Sequence, residues 1–285
     1  VALPWLARRA LPDQRMPGWW LVGVLLVGLG KYHAEDLVLG QINILLTLVV
    51  VGAIVAFNGG RDALGGGLVA VAVVIKPYAL ILLPWLVARR EPRALAGAAA
   101  VSTVAMLLTV ADYGVSGTVL LHREWWATVT TTTADTLTHS DNVSVAAMFT
   151  RWIGAGAAAS WLATGAGVLL LASAVAVFLR RRGVPRPDGL EAALLLALTP
   201  PISPQGWDYV LVVSTPALIW LANYHDQLPP VMRWLTAGAV AITLLTLYDL
   251  LGRSLLYALL NLSVITVAVF VVIGALYTLR VRRAA

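Results

Sequence analysis

The chain has 285 residues, 60% of them hydrophobic and 12% charged, and its 20 Lys and Arg against 14 Asp and Glu give a formal net charge of +6. A mean hydropathy of +0.84 excludes an ordinary soluble domain, whose surface needs more charge, and the lack of cysteine excludes disulfides, thiolate zinc sites and thiol catalysis. The basic residues sit in short clusters between apolar blocks, as topological signals do, so nucleic acid is not an expected partner.

In chain order, residues 1–7 are apolar and run straight into Arg8-Arg9. That reads as the tail of an earlier span rather than a signal peptide, so the chain is expected to lack its N-terminal spans. Apolar blocks follow at 17–30, 41–57, 64–88, 94–111, 157–179, 189–201, 207–222, 231–249 and 255–279. Blocks of roughly 17–25 residues cross a hydrocarbon core as helices. The expected fold class is therefore an all-α polytopic membrane protein, a single membrane domain over 1–285 with about ten transmembrane or re-entrant helices. Its expected location is the cytoplasmic (inner) membrane of a bacterium, with membrane lipids around it.

Five connections are Arg-rich: RRALPDQR, NGGRD, RREPR, RRRGVPRPD and the C-terminal RVRR. The others, KYHAEDLVLGQ, the long stretch 112–156, SPQGWD and LYDLLGRS, are poor in Arg. The positive-inside rule puts the first set in the cytoplasm. One consistent path exists if the 64–88 block goes in and comes back. Its middle is Ile75-Lys76-Pro77-Tyr78, and Pro breaks the helical ladder while forcing the preceding residue out of helical geometry. With this hairpin, 15 of the 20 Lys and Arg fall on the cytoplasmic side. The 112–156 stretch becomes an extracytoplasmic loop, and HREWW (122–126) predicts an interfacial helix within it.

Lys76 is the foremost candidate for chemistry. A cation within an apolar stretch is costly and marks function, unless it simply snorkels to the interface. Pro77 places it at a break where a phosphate can approach. Gln41 and Asn43 open the 41–57 span on the same side, to cap it or to line a cavity. Trp207, Asp208 and Tyr209 lie in a break between two apolar blocks, read either as a helix-capping turn or as part of a site. Asn142, Ser144 and Arg151 close the long loop. Glu35 and Asp36 are read as a solvated acidic pair. The histidines show no ligand spacing, and no metal motif or phosphate loop is found.

Four stretches, GQINILLTLVVVGAIVAF, GGGLVAVAVVIKPYALILLPWLVARR, SDNVSVAAMFTRWIG and LTPPISPQGWDYVLVVSTPAL, resemble in order and spacing the polyprenyl-phosphate-mannose-dependent mannosyltransferases of glycosyltransferase family 87. The resemblance implies a GT-C-like bundle of membrane helices. It implies transfer of a sugar, mannose or another hexose, from a polyprenyl-phosphate donor to a lipid or glycan acceptor at the extracytoplasmic face, without a cofactor. The family's general base is an aspartate of the first outer loop, expected upstream of Val1. No catalytic residue is therefore assigned here, and the chain alone is expected to be inactive. Lys76 and Arg151 are the expected donor-phosphate ligands. Gln41, Asn43, Asn142, Ser144, Trp207, Asp208 and Tyr209 are the expected substrate-binding residues, with Asp208 also a candidate to hold Lys76. Two positions depart from the family pattern. Val143 stands where Gln is usual in the third motif, and Tyr209 stands where many members have His. The competing reading is a transporter or flippase for a lipid-linked or anionic substrate, which also uses Pro-broken hairpins.

Overall fold

The computed structural model describes residues 2–181, 184 and 186–282. Arg182, Gly183, Pro185 and Arg283, which belong to two of the Arg-rich connections, lie outside the described residues, as does Val1. The described residues form an all-α membrane protein. Its helices are α1 (Ala2–Ala10), α2 (Gly18–Val38), α3 (Asn43–Asn58), α4 (Asp62–Ile75), α5 (Leu82–Ala88), α6 (Pro92–Thr136), α7 (Val145–Ile153), α8 (Ala157–Leu179), α9 (Asp188–Ile202), α10 (Thr215–Asn223), α11 (Pro230–Leu245), α12 (Tyr248–Asn261) and α13 (Val264–Arg282). Short 3-10 segments, Pro77–Ile81 and Asp208–Ser214, lead into α5 and α10.

Three helices are long and apolar enough to cross a membrane: Pro92–Thr133, Ala157–Leu179 and Val264–Arg282. Among the described residues the number rises to at most five if each of two bent pairs is one span, Gly18–Val38 with Asn43–Asn58 (119°) and Pro230–Leu245 with Tyr248–Asn261 (105°). The others are short, and α9 and α10 lie inside: residues Asp188 to Pro201 and all of Thr215–Asn223 are buried. At about 1.5 Å per residue the 15 residues of α9 fall short of a 30 Å core, so they depend on neighbours rather than lipid. α6 and α8 do the reverse and turn Leu107, Leu108, Trp161, Val168 and Leu169 outward.

Polar contacts fix which helix ends lie together. At the arginine-rich end, Arg89 pairs with Asp62 (3.0 Å) and with Asp188. Arg181 also binds Asp188 and lies 3.6 Å from Glu191, which pairs with Arg280 at 3.0 Å. Trp85 Nε1 donates to the same Glu191 carboxylate at 3.1 Å. One network thus collects the start of α4, the end of α5, the end of α8, the start of α9 and the end of α13. Asn58 reaches Ala10 O, and Arg282 reaches Gln227 O, at the same end.

The contact between Asp62 and Arg89 settles the 64–88 block. The two residues flank it, so the chain doubles back between them. The turn is at Lys76, whose backbone is extended (φ −145°, ψ 124°) between α4 and the 3-10 segment begun by Pro77. The tip costs few free backbone groups, because Lys76 N donates to Ala72 O and Ala79 N donates to Lys76 O, both at 3.0 Å.

α4 can return so closely because it lies backbone-to-backbone on α6. A Cβ at Gly66 would stand 1.8 Å from Ala94 O, and one at Gly97 would stand 2.0 Å from Ala63 O. Small residues at three-residue spacing on both helices permit this approach, the usual device where lipid supplies no hydrophobic drive.

Three expectations need correction. The KYHAEDLVLGQ connection is mostly helix, since α2 runs on to Val38 and closes on Gly40 at φ +62°. Gln41 N donates to Asp36 O (2.8 Å) and Gly40 N to Leu37 O (3.2 Å), the paired bonds of a left-handed helix cap. The 255–279 block is not one span. It breaks at Ser263 (φ +58°), so its first residues belong to α12 and its remainder to α13. The 112–156 stretch is largely helical: α6 continues past a break at Gly114 (φ 67°, ψ 171°) to Thr136, and α7 follows.

Gly66→Ala is expected to cost about 1–3 kcal/mol by forcing α4 off α6, whereas Gly23→Ala, with nothing within 4 Å, should leave thermal melting in detergent unchanged. Glu191→Ala strands the buried Arg280 guanidinium, which is 3% exposed. The same melting assay should show a loss of about 3–5 kcal/mol, with recovery in the double variant Glu191→Leu, Arg280→Met.

Candidate functional site

The helix ends opposite the arginine network bring the four sequence motifs together in two clusters. The first is built on the tip of the α4–α5 hairpin. Lys76 Nζ donates to Gln41 Oε1 at 3.0 Å, and the ammonium lies 5.8 Å from the centre of the Tyr78 ring. Tyr78 Oη donates to Asn43 Oδ1. Asn43 Nδ2 in turn donates to Asp36 Oδ1 at 2.6 Å, and Ile44 N donates to Asp36 Oδ2 at 3.2 Å. Asp36 and Asn43 are both fully buried. The expectation of a solvated Glu35-Asp36 loop is therefore wrong for Asp36. The helical extension of α2 turns it inward together with Tyr32, one turn earlier.

This relay divides the labour among the predicted residues. Asn43 spends both ends of its amide inside the protein and serves as the joint between α2, α3 and the hairpin. Lys76 and Gln41 stay half-buried and are the groups of this cluster open to a ligand.

The second cluster is made by two loops that pair as an isolated antiparallel bridge between Asn142 and Trp207. Val143 N donates to Gly206 O at 2.7 Å and Asp208 N to Asp141 O at 2.9 Å. Asn142 Nδ2 donates to Pro204 O (2.8 Å) and Thr136 O (3.1 Å), while its Oδ1 accepts from Ser144 N at 2.9 Å. Ser144 caps α7 by accepting from Ala147 N at 3.1 Å. Both Asn142 and Ser144 are fully buried. They hold the two loops in place, and the half-buried Trp207 stands on the pair with His139 against its ring at 5.3 Å. Arg151 braces the same corner, its Nε on Ser263 Oγ and its Nη1 on His139 O, both at 3.0 Å. Arg151 and Lys76 thus belong to different clusters, with no shared hydrogen-bond partner.

The last turns of α2 bridge the clusters. His33 Nε2 lies 3.3 Å from Thr215 Oγ1, just after the Asp208–Ser214 segment. Lys31 Nζ donates to Thr246 O at 2.7 Å. Asp208 lies in the electrostatic field of Glu35, Lys31 and Asp141, and Tyr209 in that of Asp208, Asp36 and Glu35. The expectation that Asp208 holds Lys76 is corrected: among the described residues Asp208 makes no ion pair with Lys76, whose ammonium bonds Gln41, and Lys31 bonds a backbone carbonyl. Lys31, Glu35, Asp36 and Tyr78 are the residues that sequence reasoning missed. Their signal was present as helical spacing: Lys31 with Glu35 and Tyr32 with Asp36 are both i, i+4 pairs.

The arrangement offers three cations, Lys31, Lys76 and Arg151, and four carboxylates, Glu35, Asp36, Asp141 and Asp208. None of these seven forms a direct ion pair with another among the described residues. Of these, Lys76 and Arg151 are half-buried, whereas Asp36 and Asp208 are buried. Among the described residues no group of His, Asp and Glu is placed to hold a metal ion.

Comparison with curated proteins and with solved structures gives no match. A family model described as Glycosyltransferase family 87 matches residues 1–215. That match takes in all four motifs, three of them whole and the fourth through Thr215, and both clusters. The chain accordingly belongs to glycosyltransferase family 87 and is a membrane glycosyltransferase.

Proposed function

We propose that the chain transfers a hexose, mannose by resemblance, from a polyprenyl-phosphate donor to a lipid or glycan acceptor at the extracytoplasmic face of a bacterial inner membrane. The observation that carries this reading is the ammonium of Lys76. It is delivered to a helix break, anchored by one hydrogen bond to Gln41 and free of any direct carboxylate partner among the described residues. The leaving group of such a transfer is a lipid phosphate. Its charge develops as the glycosidic bond breaks, and a pre-placed cation in a low-dielectric site stabilises it without reorganisation.

In this reading Lys76 binds the donor phosphate and Gln41 orients the ammonium. Arg151 is the second phosphate ligand, reached from the other cluster. Trp207 offers a face for the sugar, and Asp208 and Tyr209 bond its hydroxyls. Asn43, Asn142 and Ser144 act one step back, by fixing the backbone that presents these groups. The side on which the clusters open is read from charge: the opposite end holds the Arg-rich connections, which face the cytoplasm.

Lys76→Ala in the complete protein is expected to lower sugar transfer from a polyprenyl-phosphate donor by about 10²–10³-fold without loss of membrane insertion. Turnover at the wild-type rate would remove Lys76 from the site. Tyr78→Phe leaves the buried Asn43 amide short of a donor, so melting should fall by about 1–3 kcal/mol, with a smaller loss of transfer than in Lys76→Ala. Movement of the lipid-linked sugar across vesicles with no transfer to an acceptor would favour a transporter instead.

A further inference from the structure

At the arginine-rich end, remote from both clusters, a cavity of about 890 Å³ opens between the end of α5, the start of α6, the end of α8 and the start of α9. Part of its wall is apolar, formed by Val87, Val175 and Leu179, all three exposed. Its rim carries Arg89, Arg90 and Arg181 against the carboxylates of Glu91 and Asp188. Asp188 is already gripped by both Arg89 and Arg181. Arg90 is exposed and makes no ion pair among the described residues. The network behind it is short of acceptors: Arg89 Nε and Arg181 Nη1 are buried without a hydrogen-bond partner.

We propose that this cavity binds an anionic phospholipid, its phosphodiester against the guanidiniums of Arg90 and Arg181 and its acyl chains along Val87, Val175 and Leu179. Guanidinium is the side chain best matched to a phosphate, which supplies several acceptor oxygens to planar donors. Basic pockets between membrane helices take anionic headgroups for this reason. The lateral apolar wall selects a lipid over a free anion, because a soluble phosphate leaves that wall uncovered. Such a lipid would bridge α5 and α8, whose flanking arginines Arg89 and Arg181 already share Asp188 of α9. The proposal does not depend on the assignment of the donor site.

Purified protein in a neutral detergent is to be titrated with phosphatidylglycerol, phosphatidylcholine or inorganic phosphate, and bound ligand counted by native mass spectrometry. Phosphatidylglycerol should be retained over phosphatidylcholine by about fivefold or more, the worth of roughly one basic residue near a headgroup. Arg90→Glu should erase this preference. Arg90→Lys should keep it, as should Arg253→Glu, at an exposed arginine on α12. Equal retention of the two lipids, or a preference that survives Arg90→Glu, would overturn the proposal. So would inorganic phosphate held as firmly as phosphatidylglycerol, which would identify a site for a soluble anion.

Discussion

The buried carboxylate of Asp36 accepts from the Asn43 amide and the Ile44 N–H, and the hairpin tip hangs from this contact. A chain that breaks its helix inside a hydrocarbon layer has no water to satisfy the freed groups, so the protein must do it. Here the break at Lys76 is closed locally by the Ala72 and Ala79 bonds. It is then fastened to the rest of the bundle through Tyr78 and Asn43. One residue therefore supports the shape of the tip.

The two ends of the bundle treat charge in opposite ways. At the arginine-rich end three guanidiniums, Arg89, Arg181 and Arg280, meet three carboxylates, Asp62, Asp188 and Glu191, in direct contacts. A closed network of this kind contributes little net stability over an apolar core, but it penalises any rearrangement that strands one member. It therefore works as a register lock on the ends of five helices. At the other end the charged groups are near one another yet unclosed. Their polar atoms are met by neutral partners instead: Lys76 by Gln41, Arg151 by Ser263 and the His139 carbonyl, and Asp36 by Asn43.

Apolar surface separates the ends and decides how each helix is used. α9 is buried along nearly its whole length and is too short to face lipid across a full core. α6 and α8 face outward and carry the long apolar stretches. The close seam between α4 and α6, set by Gly66 and Gly97, lets the re-entrant pair sit inside this outer wall.

Much of this was legible in the sequence. Composition and block length alone require a helical membrane protein, because no other structure satisfies backbone groups over such apolar runs except a closed barrel. Charge distribution plus one proline required the doubling back at Ile75-Lys76-Pro77, which the contact between Asp62 and Arg89 bears out. The tertiary structure alone decided which polar residues meet. Asp36 read as a loop residue because a run of Lys, His, Glu and Asp breaks apolar periodicity. Its burial depends on Asn43 and Tyr78, which arrive from seven and 42 residues further along the chain. That the Lys76 ammonium bonds Gln41 has the same cause. Local pattern reports which face of a helix is apolar, but the pairing of charges across helices is set by rotation and packing, and these follow from contacts such as Gly66 on Ala94 that no single segment encodes.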